Sequence, residues 1–181
     1  MTDYSNLEDS QLITHVRQDA KAFDTLYHRY LPRLYRYCLQ RVSDTQQAED
    51  ISAQVFFEVL NGLMNGKYHE SGSFAAWLFT IARRRVIDHY RQPEVESLPD
   101  SHPIHPEISR QVEDLDEKQQ LLTLLGSLDE ERQELLRLRF AAKLKFDEIA
   151  LITGRTAASV KMEIYRTLDQ LRDNWEQTYG K

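Results

Sequence analysis

The stretch that most constrains this chain is Phe74–Arg91, FAAWLFTIARRRVIDHYR. It holds neither glycine nor proline, so an unbroken helix is allowed. Its first half sets Phe74, Trp77, Leu78, Phe79 and Ile81 on nearly every side, and a helix apolar all round is buried against neighbours on more than one face. Its second half carries Arg83, Arg84 and Arg85 in a row, then His89 and Arg91. Consecutive helical residues turn about 100° apart, so the three arginines fan out instead of sharing a face. The stripe at spacings of three and four is Trp77, Thr80, Arg84, Asp88 and Arg91. An aromatic ring beside guanidinium groups suits base stacking and phosphate pairing along a single strand. A core tryptophan with a solvated basic helix end, where arginines complement the C-terminal dipole, explains the same residues more simply. On this stretch alone that plainer reading is preferred.

The remaining sequence narrows the field. A chain of 181 residues allows one domain or two small ones. An apolar share of 41% with no long apolar run fits a soluble globular protein without membrane insertion. The start, MTDYSNLEDS, is acidic and unlike a signal peptide, and Cys38 is the one cysteine, so a cytoplasmic protein without internal disulfides is expected. The histidines form no ligand cluster, so neither a metal nor another cofactor is expected. The net charge of -6 is unevenly spread: residues 1–92 are net zero, 93–117 carry -7 and 118–181 carry +1. Neither flanking part is the strongly basic module typical of nucleic-acid binding, so DNA affinity must come from local patches or from a partner's help.

Periodicity predicts an all-α fold. Helices are expected over residues 7–18, over Ala20–Val42 with a kink or split near Leu31 caused by Pro32, and over Thr45–Leu63 behind an Asp44 cap. With the Phe74 helix, capped by Ser73, these make a four-helix bundle in residues 1–92. Residues 93–117, proline-containing and acidic, read as an extended flexible linker. Residues 118–181 form a second unit. There FDEIALITG gives a short helix and a glycine turn, and Thr156 caps a long final helix, which is a helix-turn-helix outline. In the final helix Val160, Ile164, Leu168, Leu171 and Trp175 face inward, while Ala158, Met162, Tyr165 and Arg166, flanked by Lys161, suit a major-groove reader. Many helical hairpins share this outline without touching DNA.

Three segments in order carry a resemblance. QAEDISAQVF at 47–56 is similar to the DAEDLTQEVF polymerase-binding motif of bacterial sigma factors of the extracytoplasmic-function (ECF) class. FAAWLFTIARRRVIDHYR resembles that class's promoter-melting segment, and residues 127–172 resemble its second-domain helix-turn-helix. The resemblance implies a non-enzymatic subunit of RNA polymerase with a region 2 bundle at 1–92, a linker at 93–117 and a region 4 helix-turn-helix at 118–181. It implies core RNA polymerase, promoter DNA and an anti-sigma factor as partners.

Carried over by residue, docking on core polymerase falls to Glu49, Asp50 and Gln54. Minus-ten DNA falls to Lys67, Trp77, Arg83, Arg84, Arg85, His89 and Arg91, with an extruded base held near the Gly66–Gly72 loop. Minus-thirty-five DNA falls to Arg139, Thr156, Lys161, Met162, Tyr165 and Arg166. The chain departs from the pattern at Ala53 and Gln54, which remove a charge from the docking face, and at Arg84, Asp129, Ala158, Ser159, Met162 and Glu163. Glu163 is expected to flank the groove and repel phosphate. A sigma-like decoy for an anti-sigma protein and a stand-alone helix-turn-helix regulator are the competing readings.

Overall fold

The computed structural model describes residues 4–68, 72–91 and 115–179, and within them eight α-helices and no strand. The first half holds α1 (Asp9–His15), α2 (Ala20–Val42), α3 (Thr45–Met64) and α4 (Phe74–Arg91). The second holds α5 (Leu115–Gly126), α6 (Glu130–Leu136), a π-helical turn (Arg137–Ala141), α7 (Phe146–Thr153) and α8 (Ala157–Tyr179). Leu115–Glu117, the end of the expected linker, belong to α5, and 92–114 lie outside the described residues.

α2 begins where the Asp19 carboxylate accepts from the Lys21 amide, and it ends where Ser43 turns left-handed. Its buried stripe is Ala22, Leu26, Tyr30, Leu34 and Tyr37. The kink or split expected at Pro32 does not divide the helix, which runs unbroken through it. Proline removes one donor, the bond to the His28 carbonyl. Both Pro32 and His28 are exposed, so that carbonyl faces water and loses little. Asp44 caps α3 as expected, accepting from the Gln47 amide at 2.7 Å. The sole cysteine, Cys38, is fully buried in α2, where burial pushes its thiol up to about 12.

α4 is the central strut. Ala75, Ala76 and Ala82 are buried along it, and such small residues let neighbouring helices approach. Phe79 is fully buried, with its ring 5.6 Å from Tyr37 in an edge contact. Truncating it would cost about 3–5 kcal/mol through lost burial and an unfilled cavity. Ser73 does not cap α4 with its side chain. Its hydroxyl instead donates to Glu148 of α7 at 2.6 Å.

The two halves share one hydrophobic core and are joined by polar contacts. Arg33 of α2 stacks on Tyr30 at 5.0 Å and donates to the carbonyls of Ala142 and Lys143 at 2.7 and 3.1 Å. These carbonyls close the turn after the π-helical segment, where Lys143 sits at φ 53°. Tyr37 donates to Glu134 at 2.7 Å, and Arg41 and Arg83 also face that carboxylate. Burial, and then the Glu134 charge, hold the Tyr37 phenol far above the usual tyrosine range, so it stays a donor.

Candidate polymerase and nucleic-acid interface

The outward side of α3 exposes Glu49, Asp50, Ala53, Gln54 and Phe57, because Ala48, Ile51, Val55 and Val59 take the inward positions of the same turns. Asp50 and Gln54 border a small polar cavity of about 150 Å³ between α3 and α4, completed by Gln47, Arg85, Asp88 and His89. His89 lies there with a ring nitrogen 3.1 Å from the Gln47 side-chain oxygen. The structure thus brings two expected docking residues next to two expected DNA residues.

The three consecutive arginines fan out as the helical period requires. Arg83 turns to Glu134 in the second half, 3.7 Å away. Arg84 and Arg85 both pair with Glu58 of α3, the latter at 2.7 Å. Burial raises the Glu58 pKa, and the two guanidinium hydrogen bonds outweigh it, leaving the carboxyl below its ordinary value. Arg91 is exposed at the end of α4.

Trp77 is half-buried. Tyr68 stands 5.0 Å away and Phe74 6.0 Å away, and the indole edge lies on Gly62 of α3. Gly62 lies inside α3 and gives the indole its seat. Gly66, at φ +67°, turns the chain out, and Lys67 is exposed just beyond it. Of the Gly66–Gly72 loop expected to hold an extruded base, residues 69–71 lie outside the described residues.

In the second half Gly154 (φ 69°) makes the turn between α7 and α8, and the Thr156 hydroxyl caps α8 by accepting from the Ser159 amide at 3.1 Å. Val160, Ile164, Thr167 and Leu171 are buried, so Lys161, Met162, Tyr165 and Arg166 fall on the open face. Met162 and Tyr165 are about half exposed. Arg139 is held in place: it donates to the Leu144 carbonyl at 2.7 Å and stacks 4.5 Å above the Phe146 ring. It shares a cavity of about 400 Å³ with Lys161 and Lys145, beside Ala157 and Ala158. Lys145 was not among the expected residues. Its clue was the basic AAKLK run directly before α7.

Glu163 corrects the expectation of a carboxylate repelling phosphate. It faces Arg132 of α6 at 2.9 Å, and Arg132 also reaches Gln170 and Asp129. The carboxylate is turned toward α6 and paired there, which ties α6 to α8.

A helical chain with an arginine-rich helix in one half and an open helix-turn-helix in the other has the architecture of a DNA-binding transcription factor. Comparison with known proteins identifies the kind. Residues 26–94 match sigma-70 region 2, and residues 118–171 match sigma-70 region 4. The chain is 32% identical over 187 residues to the ECF RNA polymerase sigma factor RpoE of Cereibacter sphaeroides, covering 96% of this chain and 99% of that one. It is 29% identical over 159 residues to the ECF sigma factor BldN of Streptomyces coelicolor, covering 84% of this chain and 60% of that longer relative. The solved sigma factor RpoE of Bartonella quintana, in complex with the anti-sigma factor NepR, superposes with a TM-score of 0.60 at 21% identity, covering 84% of this chain and 96% of that one. The chain belongs to the ECF class of RNA polymerase sigma factors. Sigma factors are transcription initiation factors, not enzymes. No helix among the described residues is long and apolar enough to cross a membrane.

Proposed function

We propose that this cytoplasmic chain divides its work among three helices. α3 docks on core RNA polymerase through Glu49, Asp50 and Gln54. α4, with Trp77, Arg83, Arg84, Arg85, His89, Arg91 and the nearby Lys67, opens the minus-ten element. α8 reads the minus-thirty-five element through Lys161, Met162, Tyr165 and Arg166, with Arg139 and Thr156 at its edge. The units are residues 1–92 and 118–181, joined through 93–117. An anti-sigma protein, as bound by the Bartonella quintana relative, is the expected inhibitory partner.

The observation that carries this reading is the α8 face. Four groups able to stack, pack and donate stand open opposite a stripe of buried aliphatics, in the helix that a helix-turn-helix places in the major groove. Run-off transcription with purified core polymerase on a pool of genomic promoters tests it. Defined start sites are expected, and they should disappear for Asp50→Arg, because charge reversal at a buried docking pair costs about 2–5 kcal/mol. A folded Asp50→Arg chain with undiminished affinity for core polymerase would remove α3 from the docking role.

A further inference from the structure

The open face of α8 has an apolar apex. Val160, Ile164, Thr167 and Leu171 set its inward direction. Turning about 100° per residue from them brings Met162 within about 10° of the opposite direction. Its side chain is half exposed there. Ala158, one turn earlier on the same face, is exposed as well. Tyr165 and Arg166 flank Met162, about 60° round on one side and about 40° on the other. Tyr165 is propped at its back, with the Phe146 ring of α7 6.3 Å away and the Lys161 ammonium 5.9 Å from its ring. The residue that points furthest out from the core is therefore a thioether, with a methyl group behind it.

We propose that Met162 and Ala158 form a methyl-reading strip, which selects thymine in the minus-thirty-five element by its C5-methyl group. The inference rests on the reading of α8 given above and says which base its apex accepts.

The chemistry of base edges carries the choice. In the major groove every base pair shows hydrogen-bonding groups, but thymine alone shows a methyl group. A thioether donates nothing and accepts weakly, and an alanine side chain does neither. Packed over the amino group of cytosine or adenine, they would leave a donor dry and unpaired, which costs free energy instead of gaining it. A carboxylate could take the cytosine amino group, but those of this face are engaged. Glu163 is turned to Arg132 at 2.9 Å, and Asp169, two turns past Met162, pairs with Arg172 at 3.2 Å. Thymine is the base whose edge matches what the apex offers. Methionine is flexible and polarizable, so it packs on a methyl group without demanding one fixed geometry.

The position on the helix agrees. A helix-turn-helix presents the first turns of its second helix to base edges. Ala158 and Met162 both lie in the first two turns of α8, which starts at Ala157. Ala158 also borders the cavity that Arg139, Lys145 and Lys161 share. A backbone phosphate held there by the three cations fixes the start of α8 on the groove wall and leaves Met162 over the bases. Side chains one turn apart stand about 5–6 Å from each other, against about 3.4 Å per base step along a strand. The strip therefore covers one or two adjacent base pairs.

The test uses holoenzyme assembled from the full chain and purified core polymerase, on a promoter found by run-off transcription. Each thymine of the minus-thirty-five element is replaced in turn by deoxyuridine, which keeps every hydrogen-bonding group of thymine and lacks only the methyl. At one or two positions uracil should weaken holoenzyme binding about fourfold, the worth of one buried methyl-sized group. Met162→Ala should bind the thymine promoter more weakly and lose most of that discrimination. Met162→Gln is close in length, helix-favouring and exposed, so it keeps the fold. Its carboxamide should move the preference at the same position from thymine to adenine. Equal binding of thymine and uracil promoters at every position overturns the proposal. So does a full uracil penalty that persists in Met162→Ala, or a minus-thirty-five element without thymine. In each of those cases initiation at defined promoters leaves the proposed function standing, whereas a holoenzyme that initiates nowhere sinks that reading together with this one.

Discussion

Trp77 rests directly on Gly62, so closely that a Cβ at residue 62 would stand 2.8 Å from two ring carbons. This contact seats the indole of α4 on α3. Gly62→Ala gains about 1 kcal/mol of helix propensity. The collision costs about 1–3 kcal/mol, because a half-buried indole held by Tyr68 and Phe74 has little room to shift. A lower Tm is expected, with red-shifted Trp77 emission in a Trp175→Phe background. Unchanged emission would show that the ring accommodates the methyl group in place.

Arg132 and Glu163 should behave as a pair. Each side chain is about a third exposed or less, so a coupling of about 0.2–1 kcal/mol is expected in a double-mutant cycle. The swap of Arg132→Glu with Glu163→Arg should recover most of what either single change loses in urea unfolding. Strict additivity of the two would mean the contact contributes nothing.

Glu58 gives a pH dependence with a definite sign. Its pKa is depressed in the folded protein, so its stabilisation is present above the ordinary carboxylate pKa and is lost as pH falls through the folded value. Near neutral pH the parent should exceed Glu58→Gln by about 2–4 °C in Tm, the scale for ~1 kcal/mol in a chain of this size. The gap should close on acidification below about pH 4. A gap independent of pH would assign the effect to packing.

The cavity shared by Arg139, Lys145 and Lys161 suits a backbone phosphate. Lys145→Ala, measured in the holoenzyme, should weaken binding to all promoters alike and reduce the salt slope by about one. Arg166→Ala should cost about 1–3 kcal/mol at one or two base pairs, with the slope little changed by comparison. Loss of base preference in Lys145→Ala would place that lysine at base edges.

Features with a local period were legible in the sequence. The open face of α8 followed from the spacing of Val160, Ile164 and Leu171, and the Asp44 and Thr156 caps followed from residue type just ahead of apolar runs. Features set by distant partners were not. Nothing near Glu163 in sequence announces Arg132, and Glu134 meets Tyr37 across 97 positions. Pro32 misled for a related reason: a proline's cost depends on whether the carbonyl it abandons faces water, which only the packed helix reveals. Gly62 is a further case: a glycine inside a helix has no local reason, and here a neighbouring ring requires the missing side chain.

The buried thiol of Cys38 carries one more consequence. Oxidants and alkylating reagents act on the thiolate, and this sulfur is both fully covered and protonated at any physiological pH. Within these residues there is no second cysteine to form a disulfide with it. Peroxide or an alkylating reagent applied to the folded chain is therefore expected to leave Cys38 unmodified, and thiol labelling becomes a report of unfolding.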